Sequence, residues 1–320
     1  MSSPDIPSSV RASAPGGIGN IGPGLDILGC AVAGVVDTVR VRRIPEPIIR
    51  VDDPGHPDLT RDPERHASAI AAAAVRRMAG ADDVGIALSL EKNLPLAGGQ
   101  GGSAASAVAG AVATNALLGN PLTRAELLRA ALESEERLSG RHIDNLAPEL
   151  FGGILLIRSI EPLEYIRLPV PDALRIVLVQ PRMQVRTADS RAVLPAHVDR
   201  ATALAQASAV SAMVAAFCTG DLSLLRGAID DRIAEPARAP MLPGFVSAKR
   251  AASEAGALGC SISGGGPSAF ALADSDHTAA RVQDAMLAAY AADGVQATGR
   301  VTRVDERGAR VDDCDPPLHP

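Results

Sequence analysis

Tryptophan is missing from this 320-residue chain, and only two tyrosines and four phenylalanines are present. A core must therefore be filled by aliphatic residues, chiefly alanine, valine and leucine. That composition suits a packed soluble α/β or α+β protein and not a disordered one. Cysteine is also scarce. Cys30, Cys218, Cys260 and Cys314 are all far apart in sequence, which excludes a zinc knuckle and a CxxC redox pair. A reduced, cytosolic protein is the expectation. Charge of one sign is lacking too: the net charge is −6, which offers no electrostatic case for nucleic acid. No membrane-spanning run is read from the sequence, since the apolar stretch from Ser103 to Leu118 is too short and too rich in alanine and polar residues. The opening MSSPDIPSSV carries an acid and two prolines and does not read as a signal peptide.

What is present is glycine, in clusters. The chain is organised around LPLAGGQGGSAASAVAGAVATNALL, Leu94 to Leu118. Gly98, Gly99, Gly101 and Gly102 permit left-handed backbone and close approach to a ligand. Ser103 to Leu118 has the composition of a buried helix. A glycine loop feeding a helix N-terminus is an anion site, because unpaired N–H groups and the helix dipole meet there. The plainer alternative is a tight turn before a core helix. No lysine follows the glycines as a Walker A loop requires, and no strand and distant acid frame them as in a dinucleotide fingerprint.

Along the chain, residues 1–9 read as a loose leader and Val10–Ala14 as a short strand. PGGIGNIGPGLDILG (Pro15–Gly29) should be irregular until about Leu25, holding Asn20 and Asp26, which also suit plain turns. Strands are expected at Val35–Val41, Val84–Leu90, Ile154–Arg158 and Tyr165–Leu168, with a surface loop over 45–64 and a helix at Ala67–Met78. Thr123 and Glu126 form a capping-box pattern for a helix ending near Leu138. Its inward stripe is Leu128, Ala131, Leu132 and then Glu135. A carboxylate in an apolar stripe needs a partner, either a metal ion or an arginine. GRHIDNLAPELFGG follows, packing His142, Asp144 and Asn145 into four positions, where a polar capping turn is the alternative. A domain boundary is expected at Pro169–Asp172. Beyond it come a strand at Arg175–Gln180 and loops carrying Arg182, Arg186, Thr187, Arg191 and Arg238. Helices are expected at 200–217, 221–233, 245–255 and Thr278–Ala292. A strand–glycine-loop–strand unit is read over 256–274, a last strand at Gln296–Val304, and a frayed, charged tail over 305–320. The arginines are either solvated or arranged to bind a carboxylate.

Three glycine-rich segments in this order, APGGIGNIGPGLDILG, PLAGGQGGSAAS and GCSISGGGPSAFAL, resemble the GHMP family of small-molecule kinases. NIGPGLDILG, HIDNLAPELFGG, VRTADSRAVLP and DRIAEPARAPMLPG are similar to its homoserine kinase branch. The resemblance implies an α+β, two-domain GHMP kinase fold. Residues 10–168 would form a ribosomal protein S5 domain 2-like ATP-binding domain, and 169–304 a ferredoxin-like domain. It implies ATP and Mg²⁺ as cofactors, L-homoserine as acceptor and O-phospho-L-homoserine as product, a step of threonine biosynthesis. A homodimer is a family expectation. Pro95, Leu96, Ala97, Gly98, Gly99, Gln100, Gly101, Gly102, Ser103, Ala104 and Ala105 would wrap the ATP phosphates, with Ser103 and Glu135 at the metal. Asn20, Asp26, His142, Thr187, Arg191, Arg238 and Gly265 would hold the acceptor, and Asp144 and Asn145 would serve the hydroxyl. The phosphate loop departs from the family's GLGSSA at Gln100 and Gly102, and Gly16, Gly17 and Gly19 stand where small hydroxyl residues are usual. Those departures keep two alternatives in view: a kinase of another small amino acid or alcohol, and an inactive relative acting as a binding protein.

Overall fold

The computed structural model describes residues 7–315. Residues 1–6 of the expected leader and 316–320 of the expected tail lie outside this range.

The first layer is a seven-stranded sheet. Its strands are β1 (Ser9–Gly19), β2 (Leu28–Ile44), β3 (Ile49–Asp53), β4 (Gly85–Glu91), β5 (Ile154–Ser159), β6 (Glu164–Leu168) and β11 (Arg310–Asp315). They run in the order β11-β1-β2-β4-β3, with β5 pairing β2 and β6 extending beyond β5. Only β3 and β4 are parallel, joined through α1 (Ala67–Met78). Helices α2 (Gly102–Leu117), α3 (Arg124–Leu138) and the short α4 (Leu146–Phe151) complete the layer. The core is built as the composition demands. Every residue of α2 except Ser103 is buried, mostly alanine and valine, so α1 and the sheet approach it closely. Thr123 caps α3 with the expected capping box.

The second layer is four-stranded, in the order β10-β7-β9-β8. It contains β7 (Arg175–Pro181), β8 (Gly259–Ile262), β9 (Ala269–Ala273) and β10 (Ala297–Thr302). With every neighbouring pair antiparallel and the first strand central, this is the ferredoxin-like arrangement. The helices are α5 (Thr187–Ala192), α6 (Arg200–Thr219), α7 (Ala234–Arg238), α8 (Phe245–Glu254) and α9 (Asp276–Ala292). Among the described residues, α6 alone has the length and hydropathy of a bilayer span. Met213, Ala216 and Phe217 on it are instead buried in a core shared with Ile18 and Leu28 of the first layer.

Several local expectations change. The tail is not frayed over its described part: β11 pairs antiparallel with β1, so the first domain is closed by a strand from the far end of the chain. The segment before Leu25 is not irregular throughout. β1 continues through Gly16 and Gly17 to Gly19, paired to β2 across a register shift between Pro15 and Gly16. Residues 221–233 do not form a helix. A 3₁₀ turn at Leu222–Leu225 precedes irregular chain, and Asp231 accepts the N–H groups of Ile233, Ala234 and Glu235 at 3.0 Å to start α7. Two short helices, α4 and α5, replace what read as loops.

Candidate active site

The glycine run reaches the surface at the junction of the two layers. Ala97, Gly99 and Gly101 have left-handed backbone, and Gly101 is the N-cap of α2. The first free turn of α2 opens into a cavity of about 510 Å³. Its walls come from the phosphate-loop segment, from α3 and the turn after it, and from α5 and α7 of the second domain. Ser103 is the one exposed residue of α2, and its Oγ donates to Glu135 Oε1 at 2.7 Å. Glu135 is buried, as its helical stripe requires, and also accepts from the Ser139 hydroxyl. A serine hydroxyl beside a carboxylate, both lining the cavity at a helix N-terminus, is an all-oxygen donor set suited to a hard divalent cation. The fit is chemical: no arginine partners Glu135 among the described residues.

His142 and Asp144 lie beside this pair. His142 Nδ1 is 3.5 Å from Asp144 Oδ1, and its Nε2 is 3.9 Å from Glu135 Oε2. Burial pulls the imidazole pKa down, but the Asp144 and Glu135 carboxylates outweigh it and leave it raised. Asp144 and Asn145 both press on Gly19, where a Cβ would overlap Asp144 Oδ2 and come within 2.7 Å of Asn145 Nδ2. The glycine at 19 is thus the room these two polar groups need.

The opposite wall carries the remaining candidates. Asn20 and Asp26 both adopt positive φ, which these residues tolerate. Asn20 Oδ1 accepts the Asp26 N–H at 3.0 Å, and its amide donates to Gly264 O at 3.2 Å. Both are turn formers, and Asn20 also lines the cavity; Asp26 is not among the lining residues and meets the site through Arg191. Arg191 forms a two-pronged pair with Asp26, at 2.6 and 3.3 Å. Thr187 sits one turn earlier on α5, exposed to the cavity. Arg238 is buried and donates to Ser190 O and Gly264 O at 3.1 and 2.9 Å. Burial, then the Arg191 charge, hold its guanidinium below the ordinary value. Two guanidinium groups close enough to repel each other favour an anionic guest between them. Gly265 completes this wall against Ser190.

The two unusual loop residues have structural reasons. Gln100 turns away from the cavity and is buried. It donates to Gln180 Oε1 and Ser268 Oγ at 3.1 Å and accepts from Arg300 at 2.9 Å, all in the second domain. Gly102 abuts Lys92, whose Nζ would lie 2.8 Å from a Cβ there. The buried Lys92 ammonium donates to the Gly102 carbonyl at 2.6 Å, to Ser106 Oγ at 3.2 Å and to Asp37. Of the eleven loop residues named from sequence, all but Gln100 and Ala105 line the cavity. The sequence reading missed Lys92 and Asp37, which anchor the loop, and His66, which lines the cavity beyond it. Nothing in their local sequence separates them from ordinary strand-end and loop residues.

Family models for the GHMP kinases N terminal domain and GHMP kinases C terminal match residues 66–153 and 213–292. The chain is 41% identical over 318 residues to homoserine kinase of Chlorobium phaeobacteroides (strain BS1), covering 95% of this chain and 99% of that protein. The chain belongs to the homoserine kinase family of GHMP kinases. The homoserine kinase of Arabidopsis thaliana is likewise 41% identical over 314 residues, 95% of this chain and 84% of that one. The crystal structure of homoserine kinase from Cytophaga hutchinsonii superposes with a TM-score of 0.92 at 36% identity, covering 98% of this chain and 100% of that chain. The cavity is lined by residues of both layers, and the expected two-domain α+β fold is the observed one.

Proposed function

We propose that the chain transfers the γ-phosphoryl group of ATP to the side-chain hydroxyl of L-homoserine. The observation that carries this is a single cavity with the Ser103–Glu135 pair and helix start at one end, and Arg191 and Arg238 at the other, Arg191 being paired with Asp26 behind it. The first end suits phosphates. Backbone N–H groups from Pro95 to Ala105 and the α2 dipole cradle them. Ser103 and Glu135 would hold Mg²⁺, whose charge offsets that of the transferring phosphoryl oxygens. The second end suits an amino acid. Arg191 and Arg238 take the carboxylate, and Asp26, paired with Arg191 in the free protein, takes the ammonium group. A zwitterion thus divides an ion pair that already has its own two charges. Asn20, Thr187, His142 and Gly265 complete this acceptor side.

Between the ends, Asn145 orients the acceptor hydroxyl and Asp144, with His142 beside it, receives its proton. Positioning and charge neutralisation supply most of the rate in such transfers. Gln100 and Gly102 do not favour an inactive relative, since one ties the domains together and the other makes room for Lys92. The reading includes a cytosolic enzyme and a homodimer, the latter checked by gel filtration. The reaction is tested by coupled ADP release with Mg-ATP and L-homoserine, then L-serine, L-threonine and mevalonate. Turnover selective for homoserine is expected. Turnover with another acceptor alone would replace the substrate, and none at all would replace the activity.

A further inference from the structure

Glu149 lies outside the cavity lining and is fully buried. Neither of its carboxyl oxygens has a hydrogen-bond partner among the described residues. It stands on α4 four positions after Asn145, so both project from one helix face. Its Oε1 fills a notch where β1 meets the phosphate loop. A Cβ on Gly17 of β1 would come to 2.9 Å from that oxygen, and a Cβ on Gly101, the cap of α2, would overlap it. The same two segments are joined by the Gly17 N–H donating to Gln100 O at 3.1 Å. Two glycines on separate elements thus make room for one carboxyl group. Its main chain is fixed from behind: the Glu149 N–H donates to Asn145 O at 3.0 Å, and its carbonyl accepts from Ala309 at 2.8 Å.

The charges around it are mostly of its own sign. Burial comes first, then the carboxylates of Glu135 on α3 and Asp37 on β2, and all push its proton affinity up. Lys92 opposes them and Asp144 adds to them. The Lys92 ammonium is already engaged by Asp37, Ser106 and Gly102 O. A side chain in this place is held by shape and not by ion pairing.

We propose that Glu149 is a positioning residue, a wedge that seats the phosphate loop on β1 and sets its distance from Asn145. This rests on reading the loop as the ATP phosphate cradle. It predicts an exchange of space: a methyl group at 17 meets Glu149 Oε1 at 2.9 Å and the Cys30 carbonyl at 3.2 Å, so removing Glu149 relieves the tighter of the two contacts.

The test is a double-mutant cycle on the full chain, with Mg-ATP affinity read directly by titration and both KM values read by turnover. Gly17→Ala and Glu149→Ala should each weaken ATP binding roughly tenfold while shifting the homoserine KM less than about twofold. The double variant should bind ATP better than Gly17→Ala alone, because the vacated notch accepts the methyl. Glu149→Gln, of the same shape and uncharged, should stay within about threefold of the parent. Simple multiplication of the two single effects, or a Gln variant as weak as the Ala one, overturns the wedge. If Glu149→Ala does not fold, Glu149→Val empties the Oε1 position with less lost volume, and the same outcomes decide. ATP affinity is measured without acceptor, so failure of homoserine turnover would overturn the proposed reaction and leave this test standing. A parent chain that binds no Mg-ATP overturns both.

Discussion

Glu135 occupies a helical position that its stripe would otherwise give to an apolar residue, and the structure supplies its company: Ser103, Ser139 and His142. With Ser103 it forms the oxygen pair assigned to the metal. Glu135→Gln should lower kcat by roughly 100-fold, a few kcal/mol of transition-state stabilisation, with an unchanged circular dichroism spectrum. Activity near that of the parent would sink the assignment. Arg238 has only backbone carbonyls as partners among the described residues. Arg238→Lys keeps a charge and loses the fork, so the homoserine KM should rise at least about tenfold with the ATP KM little changed; a shift confined to ATP would remove its role. Glu149 carries a pH signature. Its proton affinity is raised in the native state above the ordinary glutamate value of 4.5. The native protein therefore keeps a proton that the unfolded chain releases as pH climbs past 4.5, and stability falls with rising pH from there. Urea midpoints should show Glu149→Gln gaining on the parent as pH rises above 4.5, where the unfolded glutamate is ionised and the native one still holds its proton. A constant gap would mean that Glu149 is charged in the folded protein.

At the scale of elements, α2 carries no acid in its first turn, no base in its last and no side-chain cap. Its start is fixed instead by Lys92 at the end of β4 and Asp37 on β2. The Asp37 carboxylate also accepts the N–H groups of Asn93 and Leu94 at 3.0 and 2.9 Å, and Ser106 Oγ at 2.7 Å. One buried carboxylate thus holds the loop entry and one buried ammonium holds the helix entry. Lys92→Met leaves that carboxylate buried without its cation. It should cost about 3 kcal/mol, toward the low end for such breaks because three donors remain. The thermal midpoint should fall, and ATP affinity should fall further than homoserine affinity; an unchanged midpoint would show that the pair contributes nothing net. Sequence reading found this helix, and α1, because their periodicity and composition are local. It missed α4 and α5, six residues each, which are too short to show a period. It missed the reach of β1 because glycine normally weakens a strand, whereas here Gly17 and Gly19 are in the strand to admit Glu149, Asp144 and Asn145.

For the whole molecule, the important contacts cross between domains. Ser263 and Ser268 hydroxyls donate to Gly99 O and Gly98 O at 2.6 Å, and Gln100 joins Gln180, Ser268 and Arg300. The phosphate loop is clamped by the second domain and is not a free flap. Gln100→Leu restores an apolar residue at that loop position but leaves the Arg300 guanidinium, the Gln180 carboxamide and the Ser268 hydroxyl short of a partner. Stability should drop by about 1–3 kcal/mol in urea unfolding, with a weaker ATP affinity. Unchanged stability would show that water replaces the network.

Neighbours within a turn or two are enough to specify the glycine loop feeding α2, the capping box of α3, the inward Glu135 and the β-loop-β unit around Gly265. The motifs of the sequence also determined the family and the two-domain fold. What those parts face is set by the docking of the two layers. Asp26 pairs with Arg191 across 165 positions, and Gln100 with Ser268 across 168. β11 closes the sheet that β1 begins. The reason is physical. Helical and turn propensities act over a few residues, whereas a buried charge or amide takes whichever partner the docking of two layers brings within 3 Å or so.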